Sequence, residues 1–130
     1  MDAASATVSG TRDVALEMAT EWIDAGRLDL AETTLRRALA DTPDDFALLC
    51  VLGIVECDLE RYDDAEHTLR RSIAENPEHA RSHALLGHLL TRVGRNREAE
   101  STLLEALRLD PDDATGYELY AILMLSLIHI

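Results

Sequence analysis

Three prolines set the frame of this chain. Pro43, Pro77 and Pro111 are the only prolines in the sequence, and each lies 34 residues from the next. The same step carries Ala31 to Ala65 and Ala99, and Leu35 to Leu69 and Leu103. Ala19, Gly53 and Gly87 keep a small side chain in a third such series. Self-similarity at one fixed period is the mark of stacked structural units, each too small to bury its apolar face alone.

Each landmark has a physical reading. Thr42, Asn76 and Asp110 precede the prolines, and their side-chain oxygens suit them to cap a helix start. Proline then fits the first helical position, where its missing N–H costs nothing, and the acidic residues that follow favour the positive end of the helix dipole. Within each unit, apolar residues recur at helical spacing: Ala31, Leu35, Ala38 and Leu39, then Ala65, Leu69 and Ile73, then Ala99, Leu103, Ala106 and Leu107. Gly26 and Gly94 sit where first helices end, a place that favours a left-handed residue. The helix FALLCVLGIVECDL is apolar nearly all round, so it should be the most buried of the set.

Period and residue types together resemble the tetratricopeptide repeat. Counting from Arg12, Phe46 and Ala80, the signature positions fall on Ala15, Met18, Ala19, Trp22, Ala31, Leu35, Ala38 and Pro43. The second repeat places Leu49, Leu52, Gly53, Glu56, Ala65, Leu69, Ser72 and Pro77 there, and the third His83, Leu86, Gly87, Leu90, Ala99, Leu103, Ala106 and Pro111. Glu56, Ser72 and His83 depart from the pattern. The resemblance implies an all-α, right-handed α-solenoid of three helix-turn-helix hairpins plus one extra C-terminal helix, seven helices in all. Repeats are expected at about 12–45, 46–79 and 80–113, with a partial fourth at 114–124. Residues 1–10 are expected to be a flexible leader with little order before Thr11. Residues 125–130, LSLIHI, look like the translation of a transposon-end sequencing adapter, and a non-native tail is expected there.

A formal net charge of −13, from 25 acidic and 12 basic residues, argues against phosphate-backbone and anionic-membrane partners. The apolar run at the C-terminus is too short to span a bilayer. Cys50 and Cys57 are seven residues apart on one helix, about 10 Å along its axis and too far for a disulfide. They read as buried small hydrophobes in a reducing compartment, and cytoplasmic residence is expected. Arg36, Arg37, Arg70 and Arg71 belong to the outward side of the second helices, with local ion pairs.

No glycine-rich phosphate loop, nucleophile elbow or paired zinc-type cysteines are present, so no enzyme and no cofactor are expected. His79 and His83 are four apart on one helix, a spacing that can put two imidazoles on one face. No third ligand accompanies them, and no metal site is expected.

The resemblance also implies a ligand surface, the concave face made by the first helix of each repeat. Its lining would be Asp13, Leu16, Glu17, Thr20 and Asp24, then Ala47, Cys50, Val51, Ile54 and Asp58, then Arg81, Ala84, Leu85, His88 and Arg92. Such a groove is acidic at the first repeat, apolar in the middle and basic at the third, which suits an extended peptide or helix held in one direction. Tetratricopeptide domains that clamp the acidic tails of heat-shock chaperones use lysine and asparagine where this chain has Leu16, Thr20 and Ile54, and arginine where Leu85 stands. Only Arg81 fits, and that activity is not expected. The expected function is a non-enzymatic scaffold for a protein or peptide partner. The alternative is a structural fragment of a longer repeat protein, membrane-anchored or enzyme-linked, with no binding of its own. An apolar last helix lacking a cover is expected to self-associate through Ile122, Leu123 and Leu127.

Overall fold

A computed structural model describes the backbone of residues 3–128 and the side chains of residues 10–128. Among the described residues there are seven α-helices and no strand: α1 (Ala3–Asp24), α2 (Leu28–Asp41), α3 (Phe46–Asp58), α4 (Tyr62–Glu75), α5 (Ala80–Arg92), α6 (Asn96–Leu109) and α7 (Ala114–Ile128). Successive helices pair as hairpins α1–α2, α3–α4 and α5–α6, and each hairpin rests on the next, with α7 closing against α5 and α6.

Glycine decides how close the helices of a hairpin come. A Cβ built on Gly53 would lie 2.6 Å from Cγ of Leu69, and one on Gly87 would lie 2.5 Å from Cγ of Leu103. Both leucines are fully buried, so first and second helices touch through a leucine seated directly on backbone. The turn between them needs one residue in the left-handed region: Gly26 (φ 76°), Glu60 (φ 61°) and Gly94 (φ 83°). Repeat two thus makes with glutamate the turn that repeats one and three make with glycine, at a steric cost.

The prolines act differently from the expectation. Thr42, Asn76 and Asp110 end the preceding helices, with ψ values of 75°, 89° and 85°, because a residue before proline is pushed out of the helical region. Each proline is the second residue of a turn closed by a backbone N–H, as from His79 to the Asn76 carbonyl at 3.1 Å, a position its fixed φ favours. The helix starts fall three residues beyond each proline. At α3 the cap is Asp45, whose Oδ1 accepts from the N–H groups of Ala47 and Leu48 at 3.0 and 3.1 Å.

At both ends of the chain, helix runs past the expected repeat bounds. α1 begins at Ala3, well before Thr11, because the alanine-rich leader has no proline and reaches its first glycine only at position 10. α7 continues through Ile128, since the apolar residues 125–128 carry nothing that breaks a helix. Met1, Asp2, His129 and Ile130 lie outside the described residues.

Apolar burial gathers into two layers. Ala15, Ala19, Ala31, Leu35, Ala38, Leu48, Val51, Leu52 and Val55 form the first. Cys57, Ala65, Leu69, Leu86, Leu89, Leu90, Ala99, Leu103 and Leu123 form the second. α3 contributes nine buried residues, as its all-round apolar sequence requires. Trp22 is half-buried against the first layer.

Candidate functional site: the inner groove

α1, α3, α5 and α7 touch one another in sequence along one side of the stack, so equivalent positions on these first helices form rows. One row runs Thr20, Ile54, His88 and Ile122, exposed at the ends and half-buried between. A second runs Asp24, Asp58, Arg92 and Ser126, all exposed. A third runs Asp13, Ala47, Arg81 and Thr115, with only Ala47 partly covered. Glu17 is exposed, and Leu16 and Leu85 are half-buried on the two core layers.

Cys50 and Val51 do not line an open surface, and Ala84 shows only at the floor of a cleft toward α7. All three are buried, because successive first helices approach closely at these positions. Burial pushes the Cys50 thiol up, against the opposing pull of the Ser82 hydroxyl and Arg81. Cys57 is likewise buried and pushed up by its burial, and both cysteines are free thiols.

The fourth first helix, which the sequence reading left out of the groove, supplies a wall. Ala80, Arg81, Ala84 and Leu85 of α5 face Asp110, Asp113, Thr115 and Leu119 across a cleft of ≈ 390 Å³. A signal for it was present, since adding 34 to Arg81, Leu85 and His88 gives Thr115, Leu119 and Ile122.

The two groove arginines differ. Arg92 is held by its own fold, its guanidinium 5.5 Å from the Tyr62 ring centre and 3.9 Å from the Cys57 sulfur. Arg81 is exposed and forms no ion pair with any described residue. Most other arginines are occupied on the outer side, where Arg36 meets Glu32 and Glu56, Arg70 meets Glu66 and Glu98, and Arg71 meets Asp44. Between the groove arginines, His88 has its pKa lowered by burial and then by Arg92, with Asp58 opposing. The neutral imidazole, able both to donate and to accept, is therefore favoured there.

Behind the groove runs a buried polar chain. Ser72 Oγ donates to the Phe46 carbonyl at 2.8 Å and lies 2.7 Å from Ser82 Oγ, which lies 2.7 Å from His79 Nδ1. A hydroxyl has one proton to give, so Ser82 donates to Ser72, and His79 must carry its proton on Nδ1. His83 points its Nε2 to the Pro77 carbonyl at 2.8 Å. The two imidazoles are thus engaged separately, and no group of three or more metal-type side chains converges among the described residues. No helix among the described residues is long and apolar enough to cross a membrane.

Comparison with known proteins agrees with this architecture. The tetratricopeptide repeat family model matches residues 58–123, half of the chain. No curated protein matches the sequence. Among solved structures, a variant of the O-GlcNAc transferase of Thermobaculum terrenum superimposes with a TM-score of 0.86 at 27% identity, over 90% of this chain and 22% of that one. PilF of Pseudomonas aeruginosa superimposes with a TM-score of 0.85 at 24% identity, over 93% of this chain and 55% of that one. The type III secretion chaperone SycD of Yersinia enterocolitica, in complex with a peptide of the translocator YopD, gives a TM-score of 0.77 at 18% identity, over 91% of this chain and 95% of that one. The chain therefore spans about a fifth of the transferase and just over half of PilF. With seven helices stacked as hairpins and a family match across half its length, the chain belongs to the tetratricopeptide repeat family.

Proposed function

We propose that the chain is a non-enzymatic interaction scaffold that holds an extended peptide or short helix along the groove formed by α1, α3, α5 and α7. The observation that carries this reading is Arg81, a solvated guanidinium with no ion pair, set over an apolar floor of Ala84, Leu85 and Leu119. In a chain of net charge −13, an arginine that pairs with no carboxylate of the described residues, not even Asp110 and Asp113 across the cleft, is available to a partner's acidic group. Asp13, Glu17, Asp24 and Asp58 supply the opposite sign further along, so charge complementarity would fix the direction of the bound segment. Arg92, already stacked on Tyr62, has the lesser part. The SycD–peptide complex supports a peptide as ligand for this fold. The two buried free thiols support a reducing, cytoplasmic setting.

The test is selection from a random peptide library on the chain, followed by titration of the selected peptides. Ile54→Glu and Arg81→Glu together should weaken them by about tenfold or more, and the selected sequences should carry an acidic residue at one end. Peptides that bind both proteins equally would refute the groove. Failure of selection would favour the second reading, a structural segment of a longer stack, to which the exposed apolar residues Val14 and Met18 at one end and Leu125 and Ile128 at the other lend support.

A further inference from the structure

The end of the stack offers a second surface, distinct from the groove. α7 rests on the second core layer through Leu119, Tyr120, Leu123 and Met124. In the two preceding repeats the other side of the first helix is closed by the second helix of the same hairpin, Leu69 seating on Gly53 and Leu103 on Gly87. The row so covered is Leu49, Gly53 and Cys57 on α3, and His83, Gly87 and Thr91 on α5. A further 34 residues lead to Tyr117, Ala121 and Leu125 on α7, with Ile128 continuing the row. All four are solvent-exposed, Tyr117 at 53%, Leu125 at 64% and Ile128 at 72%. Leu123, by contrast, is fully buried, so it takes no part in the sticky face that the sequence suggested, and Ile122 lies in the groove row.

An independent feature sits beside this row. Arg61, the residue just ahead of α4, reaches back to Glu32 with hydrogen bonds of 3.1 and 2.9 Å. Arg95, just ahead of α6, reaches back to Glu66 at 2.7 Å. Glu100 is the next member of the series at the same 34-residue step. Among the described residues no arginine reaches it, and its contact is the Tyr120 hydroxyl at 3.4 Å.

We infer that this end face binds an amphipathic helix built like α4 and α6. The helix carries arginine just before its first turn, alanine four residues on, leucine four further and a small residue three beyond that. Arg61, Ala65, Leu69 and Ser72 follow this pattern, as do Arg95, Ala99, Leu103 and Ala106. Its leucine seats on Ala121 and its arginine pairs with Glu100. Inside this chain every helix of the pattern is already committed, with Leu35, Leu69 and Leu103 buried, so the occupant comes from outside these 130 residues.

A helix-stapled, fluorescein-labelled peptide reproducing residues 95–109, titrated against the full chain by anisotropy, tests this directly. Saturable binding is expected. Ala121→Arg in the protein, or Leu103→Glu in the peptide, should weaken it by about tenfold or more. Glu100→Arg should weaken it as well, and Arg95→Glu in the peptide should restore it. Circular dichroism of both protein variants checks that they stay folded. The inference is overturned by a peptide that fails to bind, or by binding that Ala121→Arg leaves unchanged. It is equally overturned by a concentration-dependent dimer in sedimentation that Ala121→Arg abolishes and the peptide cannot compete, which would assign the face to a second copy.

Discussion

Glu56 occupies the place that Trp22 holds in the first repeat and Leu90 in the third, and replacing it with leucine should stabilise the fold. Its side chain is buried, with 3% of the residue exposed. Oε2 receives Arg36 Nη2 at 3.3 Å, and Oε1 has no hydrogen-bond partner. Burial pushes its carboxyl pKa up, the nearby Thr68 hydroxyl and Arg36 pull it back in part, although the hydroxyl closes no hydrogen bond on Oε1, and Asp64 and Glu32 push it further up. An unpaired buried acceptor costs roughly 1–3 kcal/mol. The ion pair surrendered in exchange has a half-exposed arginine, which makes it worth roughly 0.2–1 kcal/mol. Arg36 is not stranded, since it keeps Glu32 at 3.0 Å. Glu56→Leu should therefore gain about 1–2 kcal/mol at neutral pH, a rise in Tm of about 3–10 °C for a chain of this size. The gain also depends on pH in a defined sense. A carboxyl whose folded pKa lies above its ordinary value near 4.5 burdens the folded state fully above that raised pKa, and the burden fades as pH falls toward 4.5. Urea unfolding followed by Trp22 fluorescence at pH 7.5 and pH 5 reads both effects. A variant less stable than wild type at pH 7.5, or an advantage equal at the two pH values, would refute the reasoning.

Three further outcomes follow from the hairpins. Glu60→Gly removes a side chain from the left-handed turn at φ 61° and should raise stability by about 0.5–1 kcal/mol in the same unfolding assay; a loss would show that the glutamate makes a compensating contact. Gly87→Ala places a methyl 2.5 Å from the branch point of the fully buried Leu103, so overpacking of about 1–3 kcal/mol should exceed the ~1 kcal/mol gained in helix propensity; unchanged stability would mean that α5 and α6 separate as freely as the pair built around Ala19. Cys50 and Cys57 are buried and their pKa values raised by that burial, so both should resist a thiol reagent at pH 8 until urea unfolds the chain; prompt labelling of either would contradict its burial.

The repeat was legible because its period rests on residues with steric meaning at single positions: a proline that ends a helix, a glycine under a leucine, a small residue where helices cross. What escaped depended on pairs. The capping chemistry of Thr42, Asn76 and Asp110 suits helix starts, yet the proline after each one fixes them as helix ends. Cys50 and Val51 belong to the groove by position, but the approach of neighbouring first helices buries them. Arg92 belongs to the groove by position, but Tyr62, distant in sequence, holds its guanidinium from beneath.

The three departures from the repeat pattern show how such pairwise effects resolve. Ser72 stands where the other repeats have Ala38 and Ala106, and it is satisfied because Ser82 departs as well, in the row otherwise held by Val14, Leu48 and Gly116. His83 is satisfied by the Pro77 carbonyl, a backbone group that every repeat presents. Glu56 alone has no matching departure nearby, and Arg36 reaches only one of its oxygens. A polar residue at a core position of this stack is thus accommodated when a second change or a fixed carbonyl meets it. Where neither does, the mismatch remains as an unpaired atom and a raised pKa, which is why the largest gain in stability is expected at position 56.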